Sequence, residues 1–276
     1  NHSIHSRSKW FVGSSNKSMS ESFKRDLIKL IRQKGRLLSS IIRPLIWLLV
    51  IGSGFNAMID REDENYFDFI VPGVVGMSIL FGALLGSLSM VYEKETGVMR
   101  MILVSPLTHK RIIFAKMCAA SLSAIVQVFM LLVVLFTFGF VDFSINFSIL
   151  FVGIVILAIA CSALGMLVAS FSETLDNFAA IMNFVIFPVF FLSGSLYPIQ
   201  SLPPLLRNIA EVNPYTYGVD ILKHAILVPN GMAADFPLLN SVGFLLIFTV
   251  LAFFISSWRF SQEKVSANWF PRKRRK

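Results

Sequence analysis

Charge is scarce in this chain: Asp, Glu, Lys and Arg make up 15% of its residues, against roughly a quarter in a soluble domain. With 55% hydrophobic residues and a mean hydropathy of +0.70, the balance belongs in lipid. The two cysteines, Cys118 and Cys161, both fall inside apolar stretches, so they read as small core residues and exclude a disulfide framework or a cysteine metal site. No Gly-x-x-x-x-Gly-Lys-Ser/Thr occurs, which excludes nucleotide binding through a P-loop. The apolar stretches hold almost no Asp, Glu, Lys or Arg, groups that are costly in hydrocarbon and persist there mainly when used. Their scarcity argues against proton- or sodium-coupled transport. It argues equally against an enzyme working at membrane depth.

What is present is length without charge. Uncharged runs of about 18 or more residues, the length a bilayer core demands of a helix, recur along the chain. They predict an all-α polytopic membrane protein with six transmembrane helices at about 38–59, 69–92, 112–140, 148–171, 178–192 and 238–258. Residues 1–21 are polar and basic and predict a loose tail; 22–258 form the membrane domain and 259–276 a basic tail. Residues 1–36 lack a cleavable signal pattern, so insertion is expected to rely on the first span.

Between the tail and the first span, Phe23, Leu27, Leu30 and Ile31 recur at helical spacing. Lys24, Arg25, Lys29, Arg32 and Lys34 occupy the other face, which predicts an interfacial amphipathic helix over 22–36. The second span carries Gly82 and Gly86, a Gly-x-x-x-Gly spacing that lets another helix approach closely. Gln127 and Asn183 are the conspicuous polar residues inside spans, suited to hydrogen bonds between helices or to a pathway contact. The segment from Gly194 to Pro237 is the longest that does not span, and its stretches 202–212 and 215–227 are each long enough for a short helix.

Basic residues sort by side when successive loops alternate. Residues 1–36, the region 93–116 with Lys94, Arg100, Lys110, Arg111 and Lys116, and the tail with Arg272 to Lys276 fall together. The other side holds Arg61, Arg207 and Lys223 among many acids, including Asp60, Glu64, Asp220 and Asp235. The positive-inside rule then predicts a multi-pass protein of the cell (inner) membrane with both termini cytoplasmic, which requires an even number of spans. The net charge of +9 is thereby explained by topology, and no nucleic-acid partner is expected.

At this point the chain resembles a known family, the type-2 ABC exporter permeases, which includes drug-efflux and polysaccharide- or lipid-export members. The resemblance rests on the amphipathic helix before the first span and on Phe69-Ile-Val-Pro-Gly73. It rests also on Glu93-Lys-Glu-Thr-Gly97 continuing to Leu103-Val-Ser-Pro106, and on Leu192-Ser-Gly194, Tyr197-Pro198, Leu202-Pro203 and Asn213-Pro-Tyr215. It covers roughly residues 22–258.

The resemblance implies a non-catalytic subunit that forms the export pathway with a second permease copy, as a homodimer in the simplest case. It implies two ABC ATPase subunits that bind ATP and Mg, leaving this chain with no cofactor or metal of its own. A coupling helix seated in the ATPase would span Glu93 to Pro106, with Glu93, Lys94, Glu95, Thr96, Gly97, Arg100, Ser105 and Pro106 as its residues. The amphipathic segment would be a connecting helix beside the ATPase, contributing Phe23, Arg25, Leu27, Lys29, Leu30 and Arg32. The segment with Gly194, Tyr197, Pro198, Asn213, Pro214 and Tyr215 would form re-entrant helices capping the pathway outside. The implied cargo is a hydrophobic or amphipathic solute, a lipid or a lipid-linked glycan. The rivals are a membrane-embedded lipid-modifying enzyme and a passive channel or scaffold that docks an ATPase.

Overall fold

The computed structural model describes residues 34–56, 66–99, 108–141 and 143–266. Among them the chain is helical, with eight α-helices: α1 (Lys34–Asn56), α2 (Tyr66–Glu95), α3 (His109–Thr137), α4 (Phe147–Phe171), α5 (Leu175–Phe191), α6 (Pro204–Val212), α7 (Pro214–Ile226) and α8 (Leu238–Ser266). Four are long and apolar enough to cross a membrane: Tyr66–Glu95, His109–Thr137, Phe147–Phe171 and Leu238–Gln262. Ile41–Phe55 and Leu175–Phe191 are shorter apolar helices. The all-helical expectation holds, with four of the six expected spans long enough to cross, and the largest difference in extent lies at the last helix. α8 continues past Trp258 into what the sequence predicts as tail, because Phe260 finds a buried site against His109, with ring centroids 5.8 Å apart.

α2 is the hub, packed against α1, α3, α4, α5 and α7. Small residues make this possible. A Cβ on Gly86 would lie 2.7 Å from Ala120 Cα, and one on Gly82 would lie 2.9 Å from Ala124 Cα. The Gly-x-x-x-Gly stripe therefore seats the Ala120 and Ala124 backbone of α3 within the same chain, the ordinary packing use of this spacing. Gln127, fully buried on α3, donates to Ser123 Oγ at 3.1 Å beside Gly82. Asn183 does the opposite: it is exposed in the middle of α5, next to Phe184 at 80% exposure.

Helix ends gather at two poles. At one, Tyr66 at the start of α2 donates to the Leu196 carbonyl at 2.7 Å, and Asn146 before α4 donates its N–H to the Ala225 carbonyl at 2.9 Å. This is the hairpin end, where α6 and α7 lie. At the other, the last turn of α2 meets the end of α4 and the start of α5. The expected amphipathic helix over 22–36 lies outside the described residues except for its last residues, 34–36, which open α1.

Candidate functional site

The end of α2 is a run of three consecutive charged residues, each directed at a different neighbour. Glu93 is buried and its Oε1 meets Lys116 Nζ of α3 at 2.5 Å, with both side chains about one-tenth exposed. Lys94 Nζ donates to the carbonyls of Ala169 at 3.0 Å, Ser170 at 3.2 Å and Ser172 at 3.4 Å, the last turn of α4. Glu95 Oε2 accepts the N–H of Leu175 at 3.0 Å, the first residue of α5. Thr174 completes that cap by accepting from the N–H of Asn177 at 3.2 Å.

The helix then stops. The N–H groups of Thr96 and Gly97 bond back to the carbonyls of Tyr92 (3.0 Å) and Lys94 (3.1 Å), and Gly97 adopts φ +76°. That left-handed residue closes helices when it is glycine, since no Cβ opposes it. The Glu-Thr-Gly stretch is thus a helix stop, and it presents Tyr92, Thr96 and Val98 on the surface.

For the residues that the resemblance nominates for ATPase contact, this geometry divides the labour. Glu93 is turned inward to Lys116 and offers no exposed carboxylate to a docked protein. Lys94 and Glu95 hold neighbouring helices, Thr96 is exposed and Gly97 makes the turn. Arg100, Ser105 and Pro106, like Phe23, Arg25, Leu27, Lys29, Leu30 and Arg32, lie outside the described residues. Tyr92 and Val98 were not singled out by sequence, because an apolar residue near a span end gives no sign of which way it faces.

At the hairpin end, Gly194 with φ +73° turns the chain after α5, and the Tyr197 hydroxyl donates to the Phe191 carbonyl. Pro198 precedes a short 3-10 turn at Ile199–Ser201. Asn213 caps α7 twice over: its Oδ1 accepts the N–H of Tyr215 at 3.1 Å and its Nδ2 donates to the Val189 carbonyl at 2.7 Å, tying α7 to α5. Pro214 occupies the first turn, where its missing N–H costs nothing. Tyr215 is buried against Gly76, whose absent Cβ would stand 2.7 Å from the Tyr215 hydroxyl.

The two short helices differ in kind. α6 is mostly exposed, with Arg207 and Glu211 paired across one turn at 2.9 Å. α7 is buried along nearly its whole length, with its Gly218 admitting Leu157 of α4 and Gly153 of α4 admitting Ile221 of α7. α7 is an inserted element of the bundle.

α7 also carries a buried charge network. Lys223 Nζ meets Asp235 Oδ2 at 2.6 Å, with side chains 1% and 6% exposed, and lies 4.8 Å from the Phe69 ring centre. Asp220 accepts from the N–H groups of Asp235 (2.8 Å) and Phe236 (3.1 Å) and from the Ser241 hydroxyl (2.6 Å). Burial pushes the Asp220 carboxyl up from the usual carboxylate range, while these donors and nearby His224 pull the other way. Asp235 Oδ1 accepts the Ile199 N–H at 3.2 Å. Both carboxylates are engaged on both oxygens, so the network acts as a latch joining α7 to the 199 turn and to α8. Sequence reading assigned these residues only to a side of the membrane.

Comparison with known proteins shows the family. Residues 19–227 match the family model described as ABC-2 type transporter. A protein named as a transport permease, ycf38 of Cyanophora paradoxa, is 28% identical over 209 residues, covering 72% of this chain and 71% of that protein. The inner membrane transport permease YadH of Escherichia coli K12 is 28% identical over 231 residues, covering 82% and 87% respectively. Nodulation protein J of Rhizobium leguminosarum bv. viciae is 26% identical over 227 residues, covering 80% and 85%. The chain belongs to the ABC-2 type transporter family and is a membrane permease subunit of an ABC transporter.

Proposed function

We propose that two such six-span units, two copies of this chain in the simplest case, enclose a pathway and export a hydrophobic or amphipathic solute, lipid or lipid-linked glycan. Two separate ABC ATPases drive the cycle. α1 and α5 supply the two spans beyond the four long helices. ATPase docking uses the exposed turn after α2, with Tyr92, Thr96 and Val98, and continues into the segment that carries Arg100, Ser105 and Pro106. This pole faces the cytoplasm, in keeping with Lys110, Arg111 and Arg259. The hairpin of α6 and α7 faces outward. ATP binding favours one arrangement of the pair and hydrolysis resets it.

The observation that carries this reading is the end of α2. A short exposed turn, stopped by Gly97, stands on a triplet bonded to α3, α4 and α5, so a force applied there reaches three helices. Exposed Asn183 supports a pathway or partner copy against α5, since a polar side chain turned to lipid lacks partners.

Transport in sealed inside-out vesicles tests the function. Vesicles holding the permease and its ATPase are offered a panel of amphipathic dyes and labelled lipids. Uptake of at least one probe should require ATP and vanish when the P-loop lysine of the ATPase is replaced. Uptake without ATP favours a passive channel, and chemical conversion of a lipid by the permease alone favours the enzyme reading.

A further inference from the structure

Three consecutive residues on an α-helix point about 100° apart. Glu93, Lys94 and Glu95 use that spacing to reach three different helices, and the sign of each charge suits what it meets. An acid meets Lys116, a cation meets the carbonyl end of α4, and an acid meets the amide end of α5. Ser172, Glu173 and Thr174 alone join α4 to α5, so Lys94 and Glu95 grip that connector from both sides.

α5 depends on this grip. Only Phe178, Met182, Ile186 and Phe190 of its residues are buried, and it has few neighbours along its length. At the hairpin end it is held by the Asn213 bond to Val189. At the triplet end the Glu95 bond to Leu175 is a direct polar tie to α2.

We propose that Lys94 and Glu95 are positioning residues that tie the α4–α5 connector to the end of α2, so that displacement of that end by a docked ATPase carries α5 with it. The proposal rests on the docking reading above. It makes the order acid-base-acid the functional feature, because exchanging the two signs would set an anion on α4 carbonyls and a cation on the α5 amide. The role is separate from docking, since Lys94 donates to the α4 carbonyls and Oε2 of the exposed Glu95 accepts from Leu175 of the same chain.

The test uses the full permease with its copurified ATPase in lipid nanodiscs. Cys118 and Cys161 are replaced by alanine, and a bimane probe is placed on Asn183→Cys in α5. With the native triplet, ATP should change the bimane emission. With Lys94→Glu plus Glu95→Lys, the ATPase should remain bound and hydrolyse ATP while the emission response is lost. Lys94→Arg plus Glu95→Gln keeps a cation and an acceptor in place and should retain the response. Should the exchange variant fail to fold, Glu95→Ala removes a single exposed acceptor and should reduce the response by roughly threefold to tenfold, the value of one lost hydrogen bond. A full response in the exchange variant, or in Glu95→Ala, overturns the proposal while leaving docking intact. Absence of ATPase from the native complex overturns the docking reading and the proposal with it.

Discussion

Lys223→Met is expected to lower the stability of the permease by about 3–5 kcal/mol, the cost of leaving one member of a buried ion pair without its partner. Asp235 is 6% exposed, and its Oδ2 has Lys223 at 2.6 Å. Removing the ammonium strands a carboxylate in a site where water cannot replace it. The damage should spread through the latch, because Asp235 also accepts from Ile199 and its N–H bonds Asp220. Thermal unfolding of the purified protein in detergent provides the measurement. Adding Asp235→Asn to Lys223→Met should recover most of the loss, since asparagine still accepts from Ile199 without carrying charge. A single variant as stable as the parent, or a double variant no better than the single one, would show that the pair is hydrated and that α7 is not embedded as described.

Gly86→Val is the second large effect. A Cβ at this position would meet backbone, with Ala120 Cα at 2.7 Å and Ala120 Cβ at 2.8 Å, so no side-chain rotation relieves it. α2 and α3 must separate, at the upper end of the roughly 1–3 kcal/mol typical of overpacking, and Gln127, packed beside Gly82, loses its fit. The expected result is a lower yield of folded permease and a lower unfolding temperature. Ala120→Gly in the same chain should restore part of both. Full stability of Gly86→Val alone would mean that the stripe does not hold α3.

These two sites differ in how far they can be read in advance. Gly82 and Gly86 are visible because the spacing itself encodes a flat helix face. Their partners, Ala120 and Ala124, carry the same four-residue interval, and that match was available in the sequence. The four long apolar helices were legible for a similar reason: an uncharged run of bilayer length has few other uses. Asp220, Lys223 and Asp235 were read only as the charge of one side. Their partnership depends on α7 being buried nearly all round, which follows from Gly218 and Gly153 admitting it beside α4, a tertiary fact without a local signature.

The triplet at 93–95 lies between these cases. The family resemblance marked it for coupling. Its division into three internal bonds did not show, because a charged residue near a span end looks alike whether it faces solvent or a helix terminus. Glu93 is paired with Lys116, so the proposed docking surface rests on the exposed Tyr92, Thr96 and Val98 instead.

Affinity purification of the permease from its own membranes shows whether the turn after α2 docks an ATPase. An ABC ATPase should copurify with the parent chain in equal proportion. The ATPase should be lost when Tyr92→Ala, Thr96→Ala and Val98→Glu are combined, on a permease that still elutes and unfolds like the parent. An ATPase that stays bound to this variant, or none bound to the parent, would contradict docking at that turn.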